Sequence, residues 1–223
     1  MHKGRITCNN MKIGIMGDIH GNYAALRSVL NDMNKNIIDS VIILGDLLFW
    51  GEEPQKCFEE VESLAPIVWI KGNTDLWLNE INEKFHPATK RENEIYHEFL
   101  RVKQLVSNET IDKIKNLEER QIINISNKNI LCVHGSDRDI NEPIGIMVPN
   151  QDIYDIFDRL PSDILLCGHT HMPYIASYNG KLIMNVGSVG LPADESRASY
   201  GILNFINDSF EYSIRRVVIS QGN

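Results

Sequence analysis

Seven side chains able to bind a metal ion stand directly after five short apolar runs. Residues 12–16 lead into Gly17-Asp18-Ile19-His20, 41–44 into Gly45-Asp46, and 67–70 into Lys71-Gly72-Asn73. Residues 130–133 lead into His134-Gly135, and 164–167 into Gly168-His169-Thr170-His171. Ile/Val/Leu runs without alternation mark strands buried on both faces. If these strands are parallel, their carboxyl ends lie along one edge of a sheet, where α/β proteins bind ligands. Two Asp, one Asn and four His converging there are enough for two metal ions that share one carboxylate. Asp18 and His20 are two residues apart, as are His169 and His171, a spacing that turns both side chains to one side of an extended segment.

The elements that must position these residues follow from periodicity. Ala24, Ala25, Val29 and Leu30 form the apolar face of a helix after the first motif, and a second helix is predicted over 55–64. Strand and helix alternating at this spacing imply a mostly parallel sheet. Residues 74–120 carry few strand signals. Ile95, Phe99, Val102 and Val106 follow a helical stripe, and Ser107 or Asn108 can cap a further helix bearing Ile111 and Ile114. This segment, about 76–119, is expected to be a helical cap inserted near the strand ends. The last third turns antiparallel, with 174–178 and 181–186 flanking the hairpin signal Asn179-Gly180. Residues 200–205 and 210–217 read as two more strands joined through Asn207-Asp208. The expected fold is α/β, a four-layer α-β-β-α sandwich of two mixed sheets. Residues 1–10 are expected to be a flexible extension and 11–223 one domain.

The chain has 223 residues and a net charge of −8. That length suits one α/β domain, and that charge argues against long DNA or RNA as partners. No stretch approaches a membrane span, and the first ten residues lack the apolar core of a secretory signal. Cys8, Cys57, Cys132 and Cys167 form no CxxC pair, which fits a reducing, cytoplasmic compartment. No Walker A or G-x-G-x-x-G loop is present.

The motifs, in their order, resemble the calcineurin-like metallophosphoesterase family, in its small bacterial and archaeal phosphodiesterase-like branch. That family is marked by D-x-H, G-D, G-N-H-D or a variant, a strand-end His, and G-H-x-H. Here they read Asp18-Ile19-His20, Gly45-Asp46, Gly72-Asn73-Thr74-Asp75, Val133-His134-Gly135 and Gly168-His169-Thr170-His171. Asn185-Val186-Gly187-Ser188 is also similar to the family. The resemblance implies that Asp18, His20 and His171 hold one divalent transition metal, that Asn73, His134 and His169 hold a second, and that Asp46 bridges them. It implies Mn²⁺ first, with Fe, Zn²⁺ or Ni²⁺ as alternatives. The implied activity is hydrolysis of a phosphodiester or phosphomonoester by a metal-bridging hydroxide, with Asp46, Asn73 and His134 at the reacting centre. The expected substrate is a small phosphorylated molecule such as a nucleotide.

One position departs from the pattern. Many relatives carry His after the ligand Asn, where it protonates the leaving group or holds the phosphate; here it is Thr74. Threonine cannot act as a general acid near neutral pH, and such an acid is worth roughly 10²–10⁴ in rate. Thr74, Arg138 and Arg197 are the candidate substrate contacts, with His86 and His97 as substitute proton donors. Asn22 and Asp75 are candidate partners that orient the ligand histidines. The competing readings are a protein Ser/Thr phosphatase and a non-catalytic metal-binding scaffold for protein partners. Ile140, Ile144, Ile146, Met147 and Val148 are a candidate partner or homo-oligomer surface.

Overall fold

The computed structural model describes residues 10–82, 84–194, 197–207 and 209–220. The expected extension therefore lies outside the described residues except for Asn10, which already belongs to the first strand. Cys8 lies outside them as well.

The first half alternates as expected: β1 (Asn10–Met16), α1 (Tyr23–Lys35), β2 (Ser40–Ile43), α2 (Pro54–Ser63) and β3 (Val68–Trp69). Three helices follow, α3 (Trp77–Glu80), α4 (Lys90–Leu105) and α5 (Asn108–Lys115). The remainder is β4 (Arg120–Ile125), β5 (Lys128–Val133), α6 (Asn150–Arg159), β6 (Ile164–Cys167), β7 (Pro173–Tyr178), β8 (Lys181–Val186), β9 (Arg197–Ile206) and β10 (Ser209–Val218).

The strands form two mixed five-stranded sheets, ordered β10-β9-β1-β2-β3 and β4-β5-β6-β8-β7. In the first, β1, β2 and β3 are parallel and β9 runs against β1; in the second, β5, β6 and β8 are parallel. Alternate residues of both sheets meet face to face: Ile13, Ile15, Ile42 and Leu44 against Ile130, Cys132, Ile164, Leu166 and Met184. On the outer face of the first sheet, α1, α2 and α4 bury Leu26, Val29, Phe58 and Val102. On the outer face of the second, α6 buries Ile153, Ile156 and Phe157 against Leu131 and Leu165. Helices, two sheets and a helix thus make the expected four layers.

The ligand-bearing strands do not share one sheet, as a literal reading of parallel strands would have it. Three lie in the first sheet and two in the second. Each sheet closes its parallel core with antiparallel strands, and the two carboxyl edges meet only because the sheets pack together. Two further elements were not anticipated. Strand β4 turns onto β5 through Ser126 and Asn127, both at positive φ (47° and 62°), the geometry of a tight hairpin turn. Helix α6 was the other. The Asn179-Gly180 hairpin forms as expected, with both residues at positive φ.

Local rules account for the helical segment. Thr89 and Glu92 form a reciprocal capping box at the start of α4, and Ser107 accepts from Thr110 N at 3.1 Å to start α5. Phe99, Val102, Val106 and Ile114 join the helix-side core of the first sheet. Trp50 N donates to Glu98 Oε1 at 2.6 Å, and Arg101 reaches the Gly51 carbonyl at 2.7 Å. Helix α4 is thereby fastened to the loop that follows Asp46.

Candidate metal centre

Past the strand ends the backbone continues to pair. Asp18 N donates to Gly45 O at 3.0 Å and His20 N to Asp46 O at 2.9 Å, which binds the β1 and β2 loops together. Within the second sheet Gly168 N donates to His134 O, and between the sheets His169 N donates to Asp18 Oδ2. These rungs hold Asp18, His20, Asp46, His169 and His171 at φ between 49° and 69°, in the left-handed region. For a non-glycine residue this costs about 1 kcal/mol or more each. Five such residues at one edge mean that the surrounding packing holds the site in shape.

Asp18, His20, Asp46 and His171 form a cluster whose ligand atoms all lie within 4.8 Å of one another. His171 Nε2 is 3.1 Å from both Asp18 Oδ1 and His20 Nε2. On the other flank, Asn73 Oδ1 is 2.9 Å from His134 Nε2 and 3.0 Å from His169 Nδ1. Asp46 Oδ2 lies between the groups, 3.7 Å from His20 Nε2 and 3.6 Å from His134 Nε2. Its other oxygen accepts from Thr74 N at 2.9 Å. All seven sequence-derived candidates therefore meet, in two sets with Asp46 between them.

The donor set fits a cation. His134 Nδ1 faces the Leu44 carbonyl at 2.8 Å and His20 Nδ1 the Phe49 carbonyl at 3.1 Å. A carbonyl can only accept, so these nitrogens carry the proton and each Nε2 lone pair turns inward. The result sets His134 Nε2 against the Asn73 carbonyl oxygen, acceptor facing acceptor, and points the His20 Nε2 lone pair at His171 Nε2. Asp18 Oδ1 is buried, and although His171 Nε2 lies 3.1 Å away the two are not aligned as a hydrogen bond. A cation, or an added proton, reconciles these contacts. Burial opposes charge on His134, but Asp46 and Asp18 outweigh it and raise its pKa. Burial likewise works against the Asp18 carboxylate, yet His134, His171 and His20 hold its pKa well below the usual range. His169 is lowered, by burial and by His134.

The expected orienting residues do different work. Asp75 touches no ligand histidine. It accepts N–H groups from Asp46 (2.9 Å), Gly72 (2.9 Å) and Leu47 (3.3 Å), and so clamps the β2 loop to the β3 loop. Burial and the nearby Asp46 charge push its carboxyl up to about 6. Asn22 caps α1 by accepting from Ala25 N and donates to Gly190 O. The histidine orienters are backbone carbonyls, those of Leu44 and Phe49, which no side-chain motif could reveal. Asn185 was visible only as part of a family-like stretch. It is buried, and its amide faces Ile144 O, Gly168 O and Thr170 Oγ1, bracing the His169–His171 loop.

The candidate substrate contacts are less uniform. Thr74 is buried beside Asp46, and its hydroxyl has no hydrogen-bond partner. Arg138 pairs with Glu142, and with Arg120 and His134 it lines a recess of about 70 Å³. Arg197 opens β9 with an exposed side chain. His86 and His97 are both exposed, His97 on α4. Of the apolar loop residues, Ile144 is buried, while Ile146 and Met147 stand 70% and 82% exposed at the tip of a turn.

Residues 11–208 match the calcineurin-like phosphoesterase superfamily domain, and the chain belongs to that family. It is 27% identical over 226 residues to the uncharacterised protein MJ0912 of Methanocaldococcus jannaschii, covering 92% of this chain and 86% of that one. It is 25% identical to the phosphodiesterase YfcE of Escherichia coli, over 87% of this chain and 88% of the relative. A metallophosphoesterase from Sphaerobacter thermophilus, known as a crystal structure, superposes with a TM-score of 0.74 at 27% identity, over 94% and 89% of the two chains.

Proposed function

We propose that this protein is a phosphodiesterase working on a small cytoplasmic substrate with two divalent transition-metal ions, Mn²⁺ first among them. Asp18, His20 and His171 would hold one ion and Asn73, His134 and His169 the other, with Asp46 shared. The observation that carries the reading is Asp46: one oxygen is tied to Thr74 N, and the other stands 3.6–3.7 Å from a histidine of each set. Bound ions would supply a nucleophile from water at neutral pH and offset the charge of the phosphoryl group.

The chain's own residues do the rest. The Leu44 and Phe49 carbonyls keep His134 and His20 in the tautomer that presents Nε2. Asp75 holds the two loops so that Asp46 and Asn73 stay in register. Thr74 offers no acid to a departing oxygen, so the reaction favours leaving groups that depart without a proton, such as aryl or phosphate oxygens. The family supports a phosphoesterase, and diester over monoester preference is supported by the likeness to YfcE alone.

The test is hydrolysis of an aryl phosphodiester and the matching monoester by chelator-stripped protein reloaded with Mn²⁺, Ni²⁺, Zn²⁺ or Mg²⁺. Diester cleavage that requires a transition metal and falls roughly 10³-fold in Asp46→Ala is the expected result. Stoichiometric metal binding without turnover would instead favour a scaffold, the second reading, to which the exposed Ile146-Met147 turn lends support.

A further inference from the structure

A cavity of about 590 Å³ lies between α3, α4 and α5, apart from all seven candidate ligands. Its apolar wall is Leu78, Ile81, Phe99 and Ile111, and Tyr96 stacks on Phe99 with ring planes 16° apart. Lys84, Lys103 and Lys115 also line it. Three lysines elsewhere in this acidic chain have carboxylate partners, Lys56 with Glu53, Lys113 with Glu62 and Glu109, Lys128 with Asp163, while Lys12, Lys71 and Lys181 are held by backbone carbonyls. Among the described residues, none of the three cavity lysines has a carboxylate within ion-pair distance. Three lysines without a carboxylate partner line one apolar recess, Lys103 with its ammonium 5.5 Å from the Phe99 ring centre, and in a chain of net charge −8 they are complementary to an anion with an apolar body. Helix α3 continues directly from the Asn73 loop, with Leu78 N donating to Asp75 O, so the cavity wall and the candidate metal centre share one short stretch of chain.

We propose that this cavity is a binding site for a small aromatic anion of the nucleoside monophosphate class. The base lies on the Tyr96 and Phe99 side, and the phosphate meets Lys103 and Lys115. The volume is within the usual range for a ligand of that size, and a ring face against aromatic side chains is a favourable stack for any base. The site does not depend on the catalytic reading.

Anilinonaphthalene sulfonate, itself an aromatic anion, is the first probe, with AMP as competitor. The full chain is used after metal removal, when the two carboxylates of the centre repel a phosphate; a failed activity assay and a failed site are then separate results. Saturable dye binding at one per chain, displaced by AMP and at least about tenfold less well by adenosine, is expected. Lys103→Glu with Lys115→Glu should weaken AMP by roughly tenfold or more while the melting temperature holds, and Lys56→Glu on α2 should leave it unchanged. Equal displacement by adenosine, displacement by decanoate but not AMP, the same affinity in the double lysine variant, or no saturable dye binding would each overturn the proposal.

Discussion

At the strand-end edge, five of seven candidate ligands adopt left-handed backbone, and buried acceptors face one another. In α4 and α5, by contrast, the residues obey their local preferences: a Thr89–Glu92 capping box, a Ser107 cap and exposed ion pairs. One region holds conformations that its own residues disfavour and is kept there by loop-to-loop hydrogen bonds and by the packing of two sheets. The other would tolerate change almost anywhere except on its buried stripe. Strain and unpaired acceptors concentrate at the candidate metal centre, because a site that relaxed without an ion would have to be rebuilt on binding one. The helical segment shapes its surroundings without meeting that demand.

Substitutions should separate the two regions sharply. Gly45 has φ +90°, and a Cβ there would collide with the Gly72 backbone nitrogen. Gly45→Ala should therefore cost roughly 3 kcal/mol or more, read as a fall in the chemical-denaturation midpoint. Retention of wild-type stability would mean that the edge is not held as rigidly as its geometry indicates.

Asp75→Asn comes next. All three Asp75 contacts are N–H donors, and an amide must turn its own NH₂ toward one of them. Metal affinity by calorimetry should fall roughly 10–100-fold, as for other groups that support a ligand from behind. Asp75 also has a pH signature in the metal-free protein. Its folded-state pKa, about 6, lies above the ordinary 3.8. The native state therefore holds an extra proton between those values, and stability falls as pH rises through that window. Melting temperatures taken across the window should show the decline, and Asp75→Asn should flatten it.

Smaller effects belong to the flanks. Asp32 binds Arg215 through two hydrogen bonds and accepts from the Tyr200 hydroxyl. The Arg215 bond, outweighing partial burial, lowers the Asp32 carboxyl. Its contribution, about 1 kcal/mol, is complete above the ordinary carboxylate value and is lost as acid protonates it in the folded state. The melting difference between wild type and Asp32→Asn should thus be full at neutral pH and close in acid. Thr89→Ala, which breaks the capping box, should cost about 1 kcal/mol and leave metal affinity unaltered. A loss of metal binding in that variant would tie α4 to the centre more tightly than the comparison allows.

The spacing of Asp18, His20, Asp46, Asn73, His134, His169 and His171 was legible because each follows an apolar run, and a strand's end is where its run stops. The core positions of β1, β2, β5 and β6 were legible for the same reason, and those of α1, α2 and α4 because helical periodicity repeats within a few residues. Helix α6 and β4 were not anticipated although both are written in the sequence, α6 as the helical stripe Ile153, Ile156, Phe157 and Leu160 and β4 as Ile122, Ile123 and Ile125. What only the tertiary structure decided is how these pieces face one another. That the ligand strands divide between two sheets, that Asp75 grips backbone instead of a histidine, that the Leu44 and Phe49 carbonyls set the histidine tautomers, and that three lysines surround one cavity all depend on residues far apart in the chain. Spacing along a strand is a local property with a fixed period; distance across two packed sheets exists only once both have folded.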